Sequence, residues 1–210
     1  MIKGILFDLD YCILDNRTLP AGIIDSVLAP LFSSDLPEDR KKEIRETLRG
    51  NALEPVLREQ QVPEPVADSM RHAYRELELA SDARIKTYGD EGVISSLPTK
   101  NILVTSGYRK FQQSKIDLLE IGHLFAYSII DANDDSRVWK GKERIFAEIL
   151  KQEGWSPDEV LVLGDNPKSE LSAGKTLGIK TVQTLRPGVK KWDGADYHIK
   201  VLSELAALVK

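Results

Sequence analysis

A single cysteine, Cys12, in 210 residues leaves no partner for an internal disulfide and no thiolate cluster for a metal, which fits a reducing compartment. Long hydrophobic runs are missing as well. Nothing approaches the ~18 consecutive apolar residues of a membrane-spanning helix. The amino terminus lacks the basic, apolar and small-residue regions of a signal peptide and runs straight into a strand pattern. The expectation is a soluble, cytoplasmic protein without a membrane partner. A basic excess is also absent: 29 Lys and Arg stand against 33 Asp and Glu, for a net charge of -4, which argues against a nucleic-acid polymer as partner. Internal repeats and low-complexity tracts are lacking. What is present is ordinary globular material, 41% hydrophobic and 30% charged, so disorder is excluded. A chain of this length buries roughly 70% of its surface, enough for one full core and one small extra domain.

Apolar runs at Ile2–Phe7, Asn101–Ser106, Ala126–Ile130, Val160–Gly164 and Lys180–Thr184 are short and rich in β-branched residues, as in strands buried on both faces. Helix-period stretches separate the later runs at Phe111–Ile121, Glu143–Gln152 and Ser169–Leu177, the last closed by Gly178. Alternation of this kind predicts βαβ units and a doubly wound parallel α/β sheet. Between the first two runs the rhythm breaks. Helical patterns at Ala21–Leu31, Asp39–Arg58 and Glu64–Ala80, with prolines near their ends, predict an all-helical insertion. Residues 1–15 and 87–210 then form the sheet domain, and 16–86 the insertion. The tail, Val201–Val209, is predicted as a last amphipathic helix.

In open α/β sheets ligands bind beyond the carboxyl ends of the strands. Four polar clusters fall there: Asp8 and Asp10; Thr105 and Ser106; Lys140 and Lys142 beyond a loop of Asp131, Asn133, Asp134 and Asp135; and Asp165, Asn166 and Glu170. Asp8 and Asp165 at adjacent strand ends would repel in a partly dry cleft unless a cation lay between them. An oxygen-only donor set selects a hard cation, with Mg²⁺ the expected one. A lysine, a hydroxyl and loop amides beside it would suit a phosphate group. An aspartate in that setting can attack phosphorus, and a second one can move protons.

Four motifs in order carry a family resemblance. Asp8-Leu9-Asp10 after an apolar strand, Val104-Thr105-Ser106-Gly107, Gly164-Asp165-Asn166-Pro167-Lys168-Ser169-Glu170 and the lysine region between them resemble motifs I, II, IV and III of the haloacid dehalogenase (HAD) superfamily. The Lys-Pro usual in motif III is absent. Lys140 is preferred over Lys142 because it lies six residues before Phe146 and 25 before Asp165. The resemblance implies that Asp8 is the nucleophile and a Mg²⁺ ligand. It makes Asp10 the acid/base, which also supplies a backbone carbonyl to the metal. Thr105 and the Ser106 amide would bind the phosphoryl group, and Lys140 would neutralise charge. Asp165 would bind Mg²⁺ directly, with Glu170 and Asn166 one shell further out. An acid at Asp10 implies phosphoryl transfer, since relatives acting on carbon–halogen or carbon–phosphorus bonds carry a non-acidic residue there. A helical insertion between motifs I and II resembles the C1 cap.

The implied activity is a Mg²⁺-dependent phosphatase that hydrolyses a small soluble phosphomonoester through an aspartyl-phosphate, as a monomer or small homo-oligomer. A phosphomutase of the same family is the alternative. A weakened phosphate-binding or regulatory module is the other, because Tyr11-Cys12 replaces the family's usual Gly-Thr. The stretch Gly107–Ile116, with Gln112 and Lys115, resembles a branch containing nucleotidase-like phosphatases, which points to a nucleoside monophosphate beside a sugar phosphate. Outside these motifs, Cys12 reads as a small buried residue and His72, His123 and His198 as structural. Arg49, Arg58, Tyr108 and the three tryptophans read as surface or packing residues.

Overall fold

A computed structural model describes residues 1–48, 53–134 and 140–209. Arg49, Asp135, Trp139 and the middle of the helix predicted over Asp39–Arg58 lie outside them.

Six strands form one sheet: β1 (Gly4–Phe7), β2 (Lys100–Gly107), β3 (Tyr127–Ala132), β4 (Val160–Gly164), β5 (Lys180–Thr184) and β6 (Tyr197–Ile199). They run in the order β3-β2-β1-β4-β5-β6, every pairing parallel. The period-2 alternation of the strands sorts their side chains into two cores. Ile5, Phe7, Leu103, Leu161 and Leu163 face one side, where they meet Phe111 and Ile116 of α5 (Arg109–Leu118) and Leu202 and Leu205 of the tail. Leu6, Ile102, Val104, Val160 and Val162 face the other. There they meet Ile145, Phe146 and Ile149 of α6 (Lys142–Glu153) and Ala173 of α7 (Glu170–Thr176). With both faces covered, the central strands read as unbroken apolar runs.

Among the described residues, four α-helices lie between β1 and β2: α1 (Asp25–Phe32), α2 (Glu38–Leu48), α3 (Leu53–Glu59) and α4 (Glu64–Glu76). They share their own apolar cluster, built around Leu28, Leu31, Ile44, Val56, Leu57 and Met70. Tyr108, from the start of α5, inserts into that cluster and stacks on Tyr74 with ring centroids 4.2 Å apart. Pro63 and Pro65 flank the start of α4, where a missing N–H costs nothing.

Two sequence expectations shift. The tail forms a 3-10 helix over Leu202–Ala207 instead of an α-helix, and β6 is an additional edge strand. Tyr197–Ile199 is three residues long, too short to show a period. No helix among the described residues is long and apolar enough to cross a membrane.

Candidate active site

Asp8 directly follows β1 and Asp165 directly follows β4, neighbouring strands whose register sets Phe7 beside Leu163. Both carboxylates therefore leave the sheet at the same edge. Glu170 opens α7 and folds back toward them. Its Oε1 accepts the Asn166 N–H at 2.6 Å and its Oε2 accepts from Lys142 Nζ at 2.9 Å. A β-carbon at position 164 would stand 2.3 Å from Glu170 Oε1, so glycine is what lets this side chain lie against the end of β4. Oxygens of Asp8, Asp165 and Glu170 all come within 4.8 Å of one another.

The sequence spacing selects Lys140 as the cation of this site, and the structure places Lys142 there instead. Lys142 Nζ donates to Asp8 Oδ1 at 2.8 Å and is buried with both its partners. Lys140 is exposed and pairs with Glu148 at 2.6 Å. The reason is helical phase. Lys142 shares a face of α6 with Ile145, Phe146 and Ile149, which point into the core, whereas Lys140 precedes Gly141 and the helix itself. Asp131, read from sequence as part of a loop, is buried. It accepts the N–H groups of Lys140 (3.0 Å) and Gly141 (3.3 Å) and the Ser106 hydroxyl (3.2 Å), which fixes the approach to α6.

Burial pushes Asp8 up to about 7, opposed by Lys142 and reinforced by Glu170. Burial likewise raises Asp165 to about 8, with Glu170 and Asp8 adding to the effect. For Lys142, burial disfavours the charge, but Asp8 and Glu170 outweigh it and hold the ammonium above its ordinary range. One lysine thus serves three crowded carboxylates. The residues fit a hard divalent cation: every donor is oxygen, and charge is left for it to neutralise.

These shifts carry a stability consequence. In the unfolded chain Asp8 and Asp165 titrate near 3.8, well below their folded values. The folded metal-free protein therefore holds protons that the unfolded chain has already released. Their stabilisation is full below about pH 4 and is lost as pH rises through about 7 to 8. A cation bound to the ionised carboxylates acts in the opposite direction. We expect MgCl₂ to raise the melting temperature more at about pH 8 than at about pH 5.5, measured against EDTA in parallel melts. An equal shift at both values would show that these carboxylates do not hold the ion.

Asp10 stands apart from the oxygen cluster. Its carboxylate accepts from Lys115 Nζ (2.8 and 3.1 Å), Gln112 Nε2 (3.0 Å) and Asn16 Nδ2 (2.8 Å). Burial works against its ionisation, but Lys115 and the two amides prevail and hold its pKa below the usual carboxylate value. Gln112 Nε2 also donates to Thr105 Oγ1 at 2.5 Å, which leaves the threonine hydroxyl proton free to point into the site. Asn166 acts through its backbone N–H on Glu170, while its own Oδ1 accepts the Lys168 N–H at 2.9 Å. Lys115 and Asn16 were not legible as site residues. Lys115 has a sequence signal, since it lies four residues after buried Phe111 and one turn past Gln112.

Tyr11 has φ of 52°, the left-handed region that glycine adopts without cost. Asn16 Oδ1 accepts its N–H at 2.8 Å and Thr184 Oγ1 donates to its carbonyl at 3.3 Å, so the turn is pinned from both sides. Cys12 is fully buried, and burial pushes its thiol up, as befits a packing residue.

A doubly wound parallel sheet with paired strand-end aspartates, a buried lysine and a threonine hydroxyl defines a hydrolase site of the Rossmann-like kind. The chain belongs to the haloacid dehalogenase-like hydrolase family, whose model matches residues 5–184. The enolase-phosphatase E1 of Aquifex aeolicus is 27% identical over 161 residues, covering 76% of this chain and 63% of that protein. The chain thus spans less than two thirds of that relative's length. A HAD phosphatase from Thermococcus onnurineus superposes with a TM-score of 0.66 at 22% identity, over 99% of this chain and 98% of that one. A protein from Bacillus subtilis assigned as a HAD-hydrolase and solved bound to magnesium gives 0.65 at 18% identity, over 100% and 99%.

Proposed function

We propose that the protein is a Mg²⁺-dependent phosphatase acting on a small soluble phosphomonoester through an aspartyl-phosphate on Asp8. The observation that carries this reading is the buried Lys142 joining Asp8 to Glu170, with Asp165 completing the oxygen cluster. Asp8, Asp165 and Glu170, with the Asp10 carbonyl that the family resemblance implies, would hold the ion. When bound it supplies positive charge for the nucleophile and the phosphoryl oxygens.

The chain's own groups do the rest. Lys142 opposes the burial that favours protonated Asp8 and meets charge on the transferring phosphoryl, and Thr105 and the Ser106 N–H donate to its oxygens. Asp8 attacks phosphorus, the bond to the leaving oxygen breaks, and Asp10 supplies that oxygen with a proton. To do so Asp10 must turn from Lys115 and Gln112 and take one up. As the carboxylate those two residues favour, it then removes a proton from the water that cleaves the aspartyl-phosphate. We assign residues 16–86 as a C1-type cap over residues 1–15 and 87–210, excluding water during transfer. The Tyr74–Tyr108 stack and the Arg75 Nε bond to the Asp134 carbonyl (3.2 Å) join α4 to the sheet domain.

A panel of phosphomonoesters assayed for phosphate release with MgCl₂ and with EDTA tests this reading. Release from at least one ester that depends on the metal is the expected result. A panel with no release under either condition, on folded protein, contradicts it.

A further inference from the structure

Asn133 leaves the sheet with its backbone fixed and its side chain unspent. Its N–H donates to the Gly107 carbonyl at 3.0 Å, one residue past the pairing of Gly107 with Ala132 in the β2–β3 ladder. The next residue, Asp134, is pinned twice. Its Oδ1 accepts the Arg109 N–H at 3.3 Å, and its carbonyl accepts from Arg75 Nε of α4 at 3.2 Å. Asn133 Oδ1 is nevertheless buried without a hydrogen-bond partner. An unpaired buried acceptor is costly, and native structures hold few without a reason. Among the described residues the Tyr88 hydroxyl and Glu91 Oε2 share that condition, but it is Asn133 that lines a cavity beside the catalytic groups.

That cavity, of about 160 Å³, lies where the proposed reaction puts the leaving group. Its lining includes Asp10, which protonates the leaving oxygen, and Ser106, whose N–H meets the phosphoryl group. Leu53 and Tyr74 reach it from the helical insertion. Tyr74, stacked on Tyr108 and tilted against Phe111, gives it an apolar wall for a carbon chain. Small-molecule sites run from ~300 to ~1,000 Å³, so this one is small. At ~30 Å³ for each water it holds about five water-sized groups, enough for a two- or three-carbon alcohol and too few for a nucleoside. An orphaned acceptor asks for a donor, which excludes a carboxylate. Lys115 lines the same cavity and repels an ammonium. A hydroxyl meets both conditions, and because it donates and accepts it serves either end of the carboxamide.

We propose that this cavity takes the leaving group and that Asn133 selects a short hydroxyalkyl one, whose free hydroxyl donates to Oδ1. This rests on the phosphatase reading and deepens it: the substrate class is the phosphomonoester of a two- or three-carbon diol or triol. The bond from phosphorus to the ester oxygen breaks, that oxygen takes the Asp10 proton, and the alcohol departs with its other hydroxyl on Asn133.

Two ester pairs read the contact: 2-hydroxyethyl against propyl phosphate, and 3-hydroxypropyl against butyl phosphate. Within each pair a methyl replaces the hydroxyl and little else changes. In MgCl₂ the wild-type kcat/KM is expected to favour the hydroxyl member of at least one pair about five- to a hundredfold. Adenosine monophosphate should be a poorer substrate than that ester. Asn133→Leu should bring the ratio near one, and Asn133→Asp, which keeps an acceptor in place, should retain the preference. A fold defect slows both members of a pair together, so the ratio isolates the contact. Ratios near one in both pairs, no release from either pair, a ratio that survives Asn133→Leu, or faster turnover of adenosine monophosphate would overturn the selection. Phosphate release from other esters would then leave the phosphatase reading standing, and no release from any ester would take down both.

Discussion

Replacing Asp8 by Asn is expected to lower kcat on the order of 10⁵- to 10⁶-fold while leaving the fold intact. A catalytic unit that loses its nucleophile keeps only the residue of binding and charge stabilisation, and losses of that size are typical. The stability side separates this from a folding defect. Asp8 titrates at about 7 in the folded protein, so at about pH 8 its charged form is the costly one. Asn presents a neutral oxygen to Lys142, and Glu170 still pairs with that lysine at 2.9 Å. The metal-free variant should therefore melt at or above the wild-type temperature at about pH 8, with activity gone. Activity near wild type would remove Asp8 from the reaction. Lost activity with a collapsed melting temperature would trace the loss to folding.

Lys142→Met is expected to damage both properties at once. It strands Asp8 and Glu170, both buried, without a counter-charge, and breaking such a pair costs about 3–5 kcal/mol. For a chain of this size that lowers the melting temperature by roughly 6–20 °C in metal-free protein near neutral pH. Turnover should fall by several orders of magnitude, since the developing phosphoryl charge loses its buried cation. Lys140→Met removes only an exposed pair with Glu148, worth about 0–1 kcal/mol, and should leave stability and rate near wild type. Thermal melts and initial rates on the two variants decide between the lysines. The reverse ranking would restore Lys140 to the site and contradict the geometry.

This choice shows how far the sequence carries. Strand ends are legible because a buried parallel strand is an unbroken apolar run, so Asp8, Thr105 and Asp165 announce themselves by what precedes them. Spacing alone ranks Lys140 above Lys142, the reverse of what the geometry shows. Registering the lysine against Ile145, Phe146 and Ile149 by helical phase separates them, because a charged residue on an apolar helix face has a buried partner or it would not be there. Glu170 was read as lying behind the metal ligands. Its place among the cluster oxygens depends on the open space at Gly164, a contact no local pattern encodes. The Lys115–Gln112–Asn16 clamp on Asp10 joins positions 102 to 105 residues apart on one side and six on the other. Such a clamp belongs to the packing of α5 against the β1 loop, and only the folded chain brings it together.

The most direct test of the account is to acid-quench a single turnover of a hydrolysed ester and map the protein by mass spectrometry. The account predicts a phosphoryl adduct on the peptide containing Asp8, labile at high pH and absent from Asp8→Asn. Phosphate release with no adduct on that peptide, or an adduct on another carboxylate, would contradict it.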